Sequence, residues 1–154
     1  MKQGGHMKDE SVLGKVKDLL NEAGVGIFIT ISEKGQPCSR WMTPVFLPRL
    51  PGALYAVTSK EYRKVRQLEA NPNVSWIFQS TSLDKIATLT GTAEIVKDPG
   101  LAAEVLEAIG PHLEVFWTYM GDPKKLVVIE TLIESASWFK PLGGGNFKEE
   151  ASHE

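Results

Sequence analysis

The chain has 154 residues, 42% hydrophobic and 23% charged, which suits one globular domain with a real core and excludes a low-complexity chain. A formal net charge of -2 and a pI near 6.0 argue against nucleic acid as the main partner. Cys38 is the only cysteine, which rules out an internal disulfide and a cysteine-built metal site and fits a reducing cytoplasm.

Taken in order, the chain opens on MKQGGHM, which reads as a vector-derived leader with Met7 as the candidate natural start. One domain is expected over 8–142. No apolar run is long enough to span a bilayer, so no membrane partner is expected. Residues 11–21 predict an amphipathic helix, with Val12, Leu13, Val16, Leu19 and Leu20 on one face and Ala23-Gly24 ending it. Residues 25–31 alternate as a strand, with Ile27, Ile29 and Ile31 on one side. A hairpin turn over 32–35 leads into a second strand over 36–46, which Pro37 and Pro44 make an edge or a bulged strand.

Beyond a loose connection, residues 55–58 form a third strand, and Ser59 reads as the N-cap of a helix that Asn71-Pro72 stops. Lys60, Arg63, Lys64 and Arg66 crowd its first two turns, opposed only by Glu61. Cations are unfavourable at a helix N-terminus unless an anion joins them, so this start suits a phosphate beside the hydroxyls of Thr58 and Ser59. The competing reading is a solvated basic face. Strands follow over 74–78 and 85–96, the latter with Gly91 marking a bulge or a close backbone approach. Asp98-Pro99 starts a helix that Gly110-Pro111 ends. Residues 112–120 predict a short helical piece, 125–139 a long last strand, and 143–154 a disordered tail. Antiparallel strands with helices between them indicate an α+β domain built on a closed or half-closed barrel.

The usual catalytic signatures are missing: no nucleophile elbow, dinucleotide or phosphate loop, or zinc-protease helix. His112 reads as a structural or surface histidine, Cys38 as a small half-buried side chain, and Glu130 and Glu134 as solvated strand residues. Four tryptophans (Trp41, Trp76, Trp117 and Trp138) suit core or dimer packing, and one or two could flank a flat ring. With so few acids, bases and nucleophiles, any enzyme here would take its chemistry from a cofactor.

Several segments together resemble the pyridoxamine 5'-phosphate oxidase-like FMN-binding split barrels, and within them the general stress protein 26 group. They are Arg40-Trp41-Met42-Thr43-Pro44-Val45, Val57-Thr58 followed by Arg63-Lys64, Asn71-Pro72-Asn73-Val74-Ser75, and Gly91-Thr92-Ala93-Glu94. The resemblance implies a split β-barrel with flanking helices that binds FMN, as a homodimer with the flavin at the interface. It would run Arg40, Trp41, Met42, Thr43 and Val45 along the flavin, with Arg40 reaching the ribityl-phosphate arm. Val57, Thr58 and Ser59 would lie beside the cofactor, and Arg63 and Lys64 would hold its phosphate; no metal is implied. Val45 stands where the oxidase has a substrate lysine, Ile86 where it has a glutamine, and its C-terminal substrate segment has no counterpart after Phe139. The resemblance therefore implies a flavin-dependent oxidoreductase acting with a small-molecule electron donor or acceptor, and not on pyridoxamine phosphate. A flavin carrier without turnover, and a haem-handling barrel using His112, are the alternatives.

Overall fold

The computed structural model describes residues 11–113, 123–141 and 145–150. Helix α1 (Val12–Ala23) starts where the Ser11 hydroxyl accepts from the Gly14 N–H at 2.9 Å, and ends at Gly24, whose φ of 76° only glycine adopts freely. Strands β1 (Gly26–Ile31) and β2 (Pro37–Met42) form the expected hairpin. The isoleucines of β1 take its half-buried side, and Phe28 and Thr30 face inward, both fully buried. The second strand stops at Met42 rather than at residue 46, because Pro44 lacks the N–H a ladder needs.

Strand β3 (Ala53–Ser59) is buried along its whole length. Helix α2 (Arg63–Ala70) corrects the expected start: Ser59 remains in the strand, opposite Leu126, and is not the N-cap. A turn closed by the Tyr62 N–H to the Ser59 carbonyl (3.1 Å) delays the helix to Arg63, and Tyr62 gives it no side-chain cap. Strands β4 (Asn73–Gln79) and β5 (Ile86–Ile95), helix α3 (Pro99–Ile109) and strand β6 (Leu126–Lys140) follow as predicted, within a residue or two. Asp98 caps α3 through the Gly100 N–H at 2.9 Å. A short 3-10 turn, Gly110–His112, follows α3, and most of the piece expected over 112–120 lies outside the described residues.

Strand β7 (Gly145–Glu150) overturns the expectation of disorder for those six residues. Strand β3 pairs with β6 only as far as Leu132, which leaves the edge of β6 from Ser135 to Lys140 open, and β7 takes it.

The sheet order is β2-β1-β4-β5-β6-β3, every pairing antiparallel. Its two ends meet where Val45 and Tyr55 exchange N–H···O bonds of 2.8 and 2.9 Å, curling the sheet into the expected split barrel. One core packs Phe28, Leu54, Trp76, Phe78 and Leu89 with Val16 and Leu19 of α1. The Phe28 and Trp76 rings lie 4.5 Å apart, and the Trp76 indole donates to the Thr131 hydroxyl at 3.1 Å. A second core joins the other side of β3, at Tyr55 and Val57, to Val105 and Ile109 of α3. Burying β3 between two cores fixes the strand that ends at Thr58 and Ser59.

Candidate functional site

Between the end of β2, the end of β3 and the turn after α3 lies a cleft of about 620 Å³. Six of the residues singled out in the sequence line it: Trp41, Met42, Thr43, Val57, Thr58 and Lys64. They come from three elements, and the curl of the sheet brings them together. Three lining residues were not anticipated, Tyr62, Pro111 and Leu113, and His112, read as a structural or surface histidine and as the candidate ligand of the haem alternative, lines it too. The Gly110-Pro111 stop marks where Pro111, His112 and Leu113 begin, but nothing local to that segment shows that α3 ends opposite β2. Tyr62 is half exposed, its ring centroid 4.4 Å from the Lys64 ammonium, and Trp41 is 59% exposed.

The electrostatics come from Arg40 and Lys64. The Arg40 guanidinium is half-buried and donates to three neutral acceptors: the Phe28 carbonyl (3.2 Å), the Thr30 hydroxyl (2.8 Å) and the Gln67 amide oxygen (3.4 Å). The Thr30 hydroxyl donates in turn to the same oxygen at 2.6 Å, so the buried side of α2 holds the guanidinium in place. Burial lowers the pKa of Arg40; Cys38 nearby works against this, and the charge of Arg63 adds to it. Lys64 donates to the Thr58 hydroxyl at 3.1 Å. Burial, and then the charge of Arg40, bring its ammonium down to about 8.

Among the described residues no carboxylate answers these charges. The three ion pairs among the described residues are Arg49–Glu104, Lys85–Glu22 and Lys125–Glu61. Glu61, expected to oppose the basic start of the helix, pairs with Lys125 at 2.8 Å instead. Among the described residues there is no group of three side chains that could hold a metal, and no helix long and apolar enough to cross a membrane.

The remaining singled-out residues lie outside the lining. Val45 is tied to Tyr55 and packs toward α3, and Ser59 is buried with its hydroxyl accepting from the Glu61 N–H at 3.3 Å. Arg40 stands behind the cleft wall on β2. Arg63 faces a second, polar cleft on the other side of α2. Glu130 is not the solvated carboxylate expected of it: it accepts from the Tyr55 hydroxyl at 2.7 Å.

The family model described as pyridoxamine 5'-phosphate oxidase matches residues 12–135. The chain belongs to the pyridoxamine 5'-phosphate oxidase family. General stress protein 26 of Bacillus subtilis (strain 168) is 41% identical over 68 residues, 44% of this chain and 46% of that protein. The match thus spans about half of that curated relative. The structure is similar to a haem-binding protein from Mycobacterium smegmatis (TM-score 0.76, 19% identity, covering 94% of this chain and 60% of that one). It is also similar to a Clostridium acetobutylicum protein related to general stress protein 26 (TM-score 0.69, 21% identity, covering 88% and 93%). At these identities the structural likenesses establish the fold alone. The family match agrees with the split barrel seen here and with the segments that carry the resemblance, all of which lie within 12–135.

Proposed function

We propose that the chain binds flavin mononucleotide in the 620 Å³ cleft and acts as an FMN-dependent oxidoreductase of small molecules. The observation that carries this is a pair of half-buried cations with no carboxylate partner among the described residues, Lys64 in the lining of a cleft with apolar and aromatic walls and Arg40 behind that wall. Desolvated charge without a counter-charge is unfavourable in a protein, and a phosphate relieves it. The volume also fits, since small-molecule sites run from about 300 to 1,000 Å³.

On this reading Lys64 holds the phosphate, aided by the uncapped first turn of α2, and the charge of Arg40 behind the wall adds to the attraction. Val57 and Thr58 on β3, and Met42 and Thr43 at the end of β2, supply the walls for the ring, with Trp41 at the rim. The flavin, when bound, supplies the electron transfer; the protein supplies binding and orientation. His112 is the one imidazole lining the cleft, placed where it could hold or deliver a proton.

The test is a titration of FMN and riboflavin into wild type and Lys64→Ala. FMN affinity should fall roughly 10- to 100-fold in the variant, while riboflavin, which has no phosphate, should barely change. Equal losses for both ligands, or no loss for either, would overturn the reading.

A second reading has its own observation: His112 lines the cleft, and its imidazole would be the group to hold a haem iron there. The absorption spectrum of freshly purified protein separates the two, with a Soret band for haem and two broad visible–near-ultraviolet bands for flavin.

A further inference from the structure

We propose that Gln67 is a positioning residue of the first cleft: its uncharged amide fixes Arg40 without cancelling the charge, and so favours anionic over neutral ligands there. The inference deepens the phosphate reading of that cleft and rests on it. Gln67 is buried on α2 with Val65 and Leu68, and is only 6% exposed. Burying an amide is costly unless its atoms find partners, and a methionine would fill such a position without that cost.

Both ends of this amide have partners. Its oxygen accepts from the Thr30 hydroxyl at 2.6 Å and from the Arg40 guanidinium at 3.4 Å, and its nitrogen donates to the Cys38 sulfur at 3.7 Å. Thr30 is fully buried and works in one direction only, accepting from Arg40 at 2.8 Å and donating to Gln67. One member comes from each of β1, β2 and α2, so the packing of the helix on the hairpin sets where Arg40 points.

What this cage lacks is charge. Its acceptors are a carbonyl, a hydroxyl and an amide oxygen, and Arg40 is in none of the ion pairs among the described residues. A carboxylate in place of the amide would bond the guanidinium about twice as strongly. It would also cancel the field that Arg40 sends across the wall, where screening is weak. Lys64 registers that field: after burial, the charge of Arg40 is what brings its ammonium down to about 8. The other titratable groups about the two cations are Tyr62 and His112 in the lining and Cys38 and Arg63 beside Arg40. From the second cleft, Glu33, Lys34 and Arg66 face Gln67.

Two variants of the full chain separate charge from packing. Gln67→Glu keeps the shape and the acceptor oxygen and adds a charge, whereas Gln67→Met keeps the length and removes both. The Lys64 amine would be titrated in ligand-free protein by nuclear magnetic resonance of isotope-labelled lysine methyl groups, its signal assigned by its loss in Lys64→Ala. It should titrate at a higher pH in Gln67→Glu than in wild type, and at the wild-type pH in Gln67→Met. FMN affinity should fall about tenfold in Gln67→Glu and less than about threefold in Gln67→Met, with riboflavin within about twofold throughout. Lys64 titrating alike in wild type and Gln67→Glu would overturn the proposal. So would equal losses of FMN in the two variants, or equal losses of FMN and riboflavin in Gln67→Glu. If FMN does not bind wild type, the phosphate reading falls by itself, and the Lys64 titration still decides whether Gln67 sets the charge at the cleft.

Discussion

Lys64 combines a depressed pKa with a place in the cleft lining, and the sign of that shift sets the pH behaviour. Its ammonium titrates near 10.5 when unperturbed and near 8 in the fold. Between those values the unfolded chain binds the extra proton, so ligand-free stability gains from this group as pH rises through that window. An anion in the cleft favours the charged form and raises the pKa again. Binding above about pH 8 therefore takes up a proton, and FMN affinity should fall as pH rises from about 8 to 9.5. Below about pH 6 the phosphate loses its second charge, so affinity should be highest between about pH 6 and 8. Calorimetric titrations in two buffers of different ionisation enthalpy check this. Proton uptake on binding at pH 8.5 should appear in wild type and vanish in Lys64→Met; wild type without uptake would contradict it. The cationic run was plain in the sequence at this scale, but the division of labour within it was not. Lys64 and Arg63 are neighbours in sequence and line different clefts, and only the late start of α2, at Arg63, decides which is which.

The pairing of β5 with β6 depends on Gly91. The register there slips: Thr90 faces Ser135 while Gly91 faces Ile133, leaving Glu134 as the extra residue of a bulge. A Cβ on Gly91 would come within 1.9 Å of the Leu132 carbonyl oxygen, a backbone atom that cannot turn away. Gly91→Ala should cost about 3 kcal/mol, read as a lower urea midpoint. Gly52→Ala, where a Cβ meets nothing within 4 Å, should change it by less than about 0.5 kcal/mol. Equal midpoints for the two variants would refute this account. Gly91 was legible in the sequence because a lone glycine weakens an alternating strand unless a bulge or a close backbone approach requires it. The extent of β3 was not, because a strand buried on both sides has no alternation to show where it begins or ends. The strand at 145–150 was hidden for a related reason. Its glycines and charges look like a tail, and only the open edge of β6 recruits them.

For the whole molecule, the rim of the cleft is the most conspicuous surface. Trp41 is 59% exposed and Tyr62 50%, both at the mouth, and β2 carries its backbone groups on the free edge of the sheet beside them. We propose a homodimer in which a second copy covers this rim, with the cofactor near the interface. Sedimentation should give a dimer at micromolar concentration and Trp41→Glu a monomer with weakened FMN binding. A wild-type monomer that retains flavin would disprove the arrangement. The barrel itself was legible because turns and strand-length runs are local signals, whereas the contribution of the α3 end to the cleft follows from how the sheet closes. That closure also bears on the order of synthesis. Every described lining residue of the first cleft lies at or before Leu113, yet β3, which carries Val57 and Thr58, is laddered to β6 and, among the described residues, shares backbone bonds with the start of the sheet at Val45. A ribosome that has made these lining residues has not yet made the strand that ladders β3. The nascent chain must wait for residues 126–132 to emerge before it has anywhere to put a cofactor.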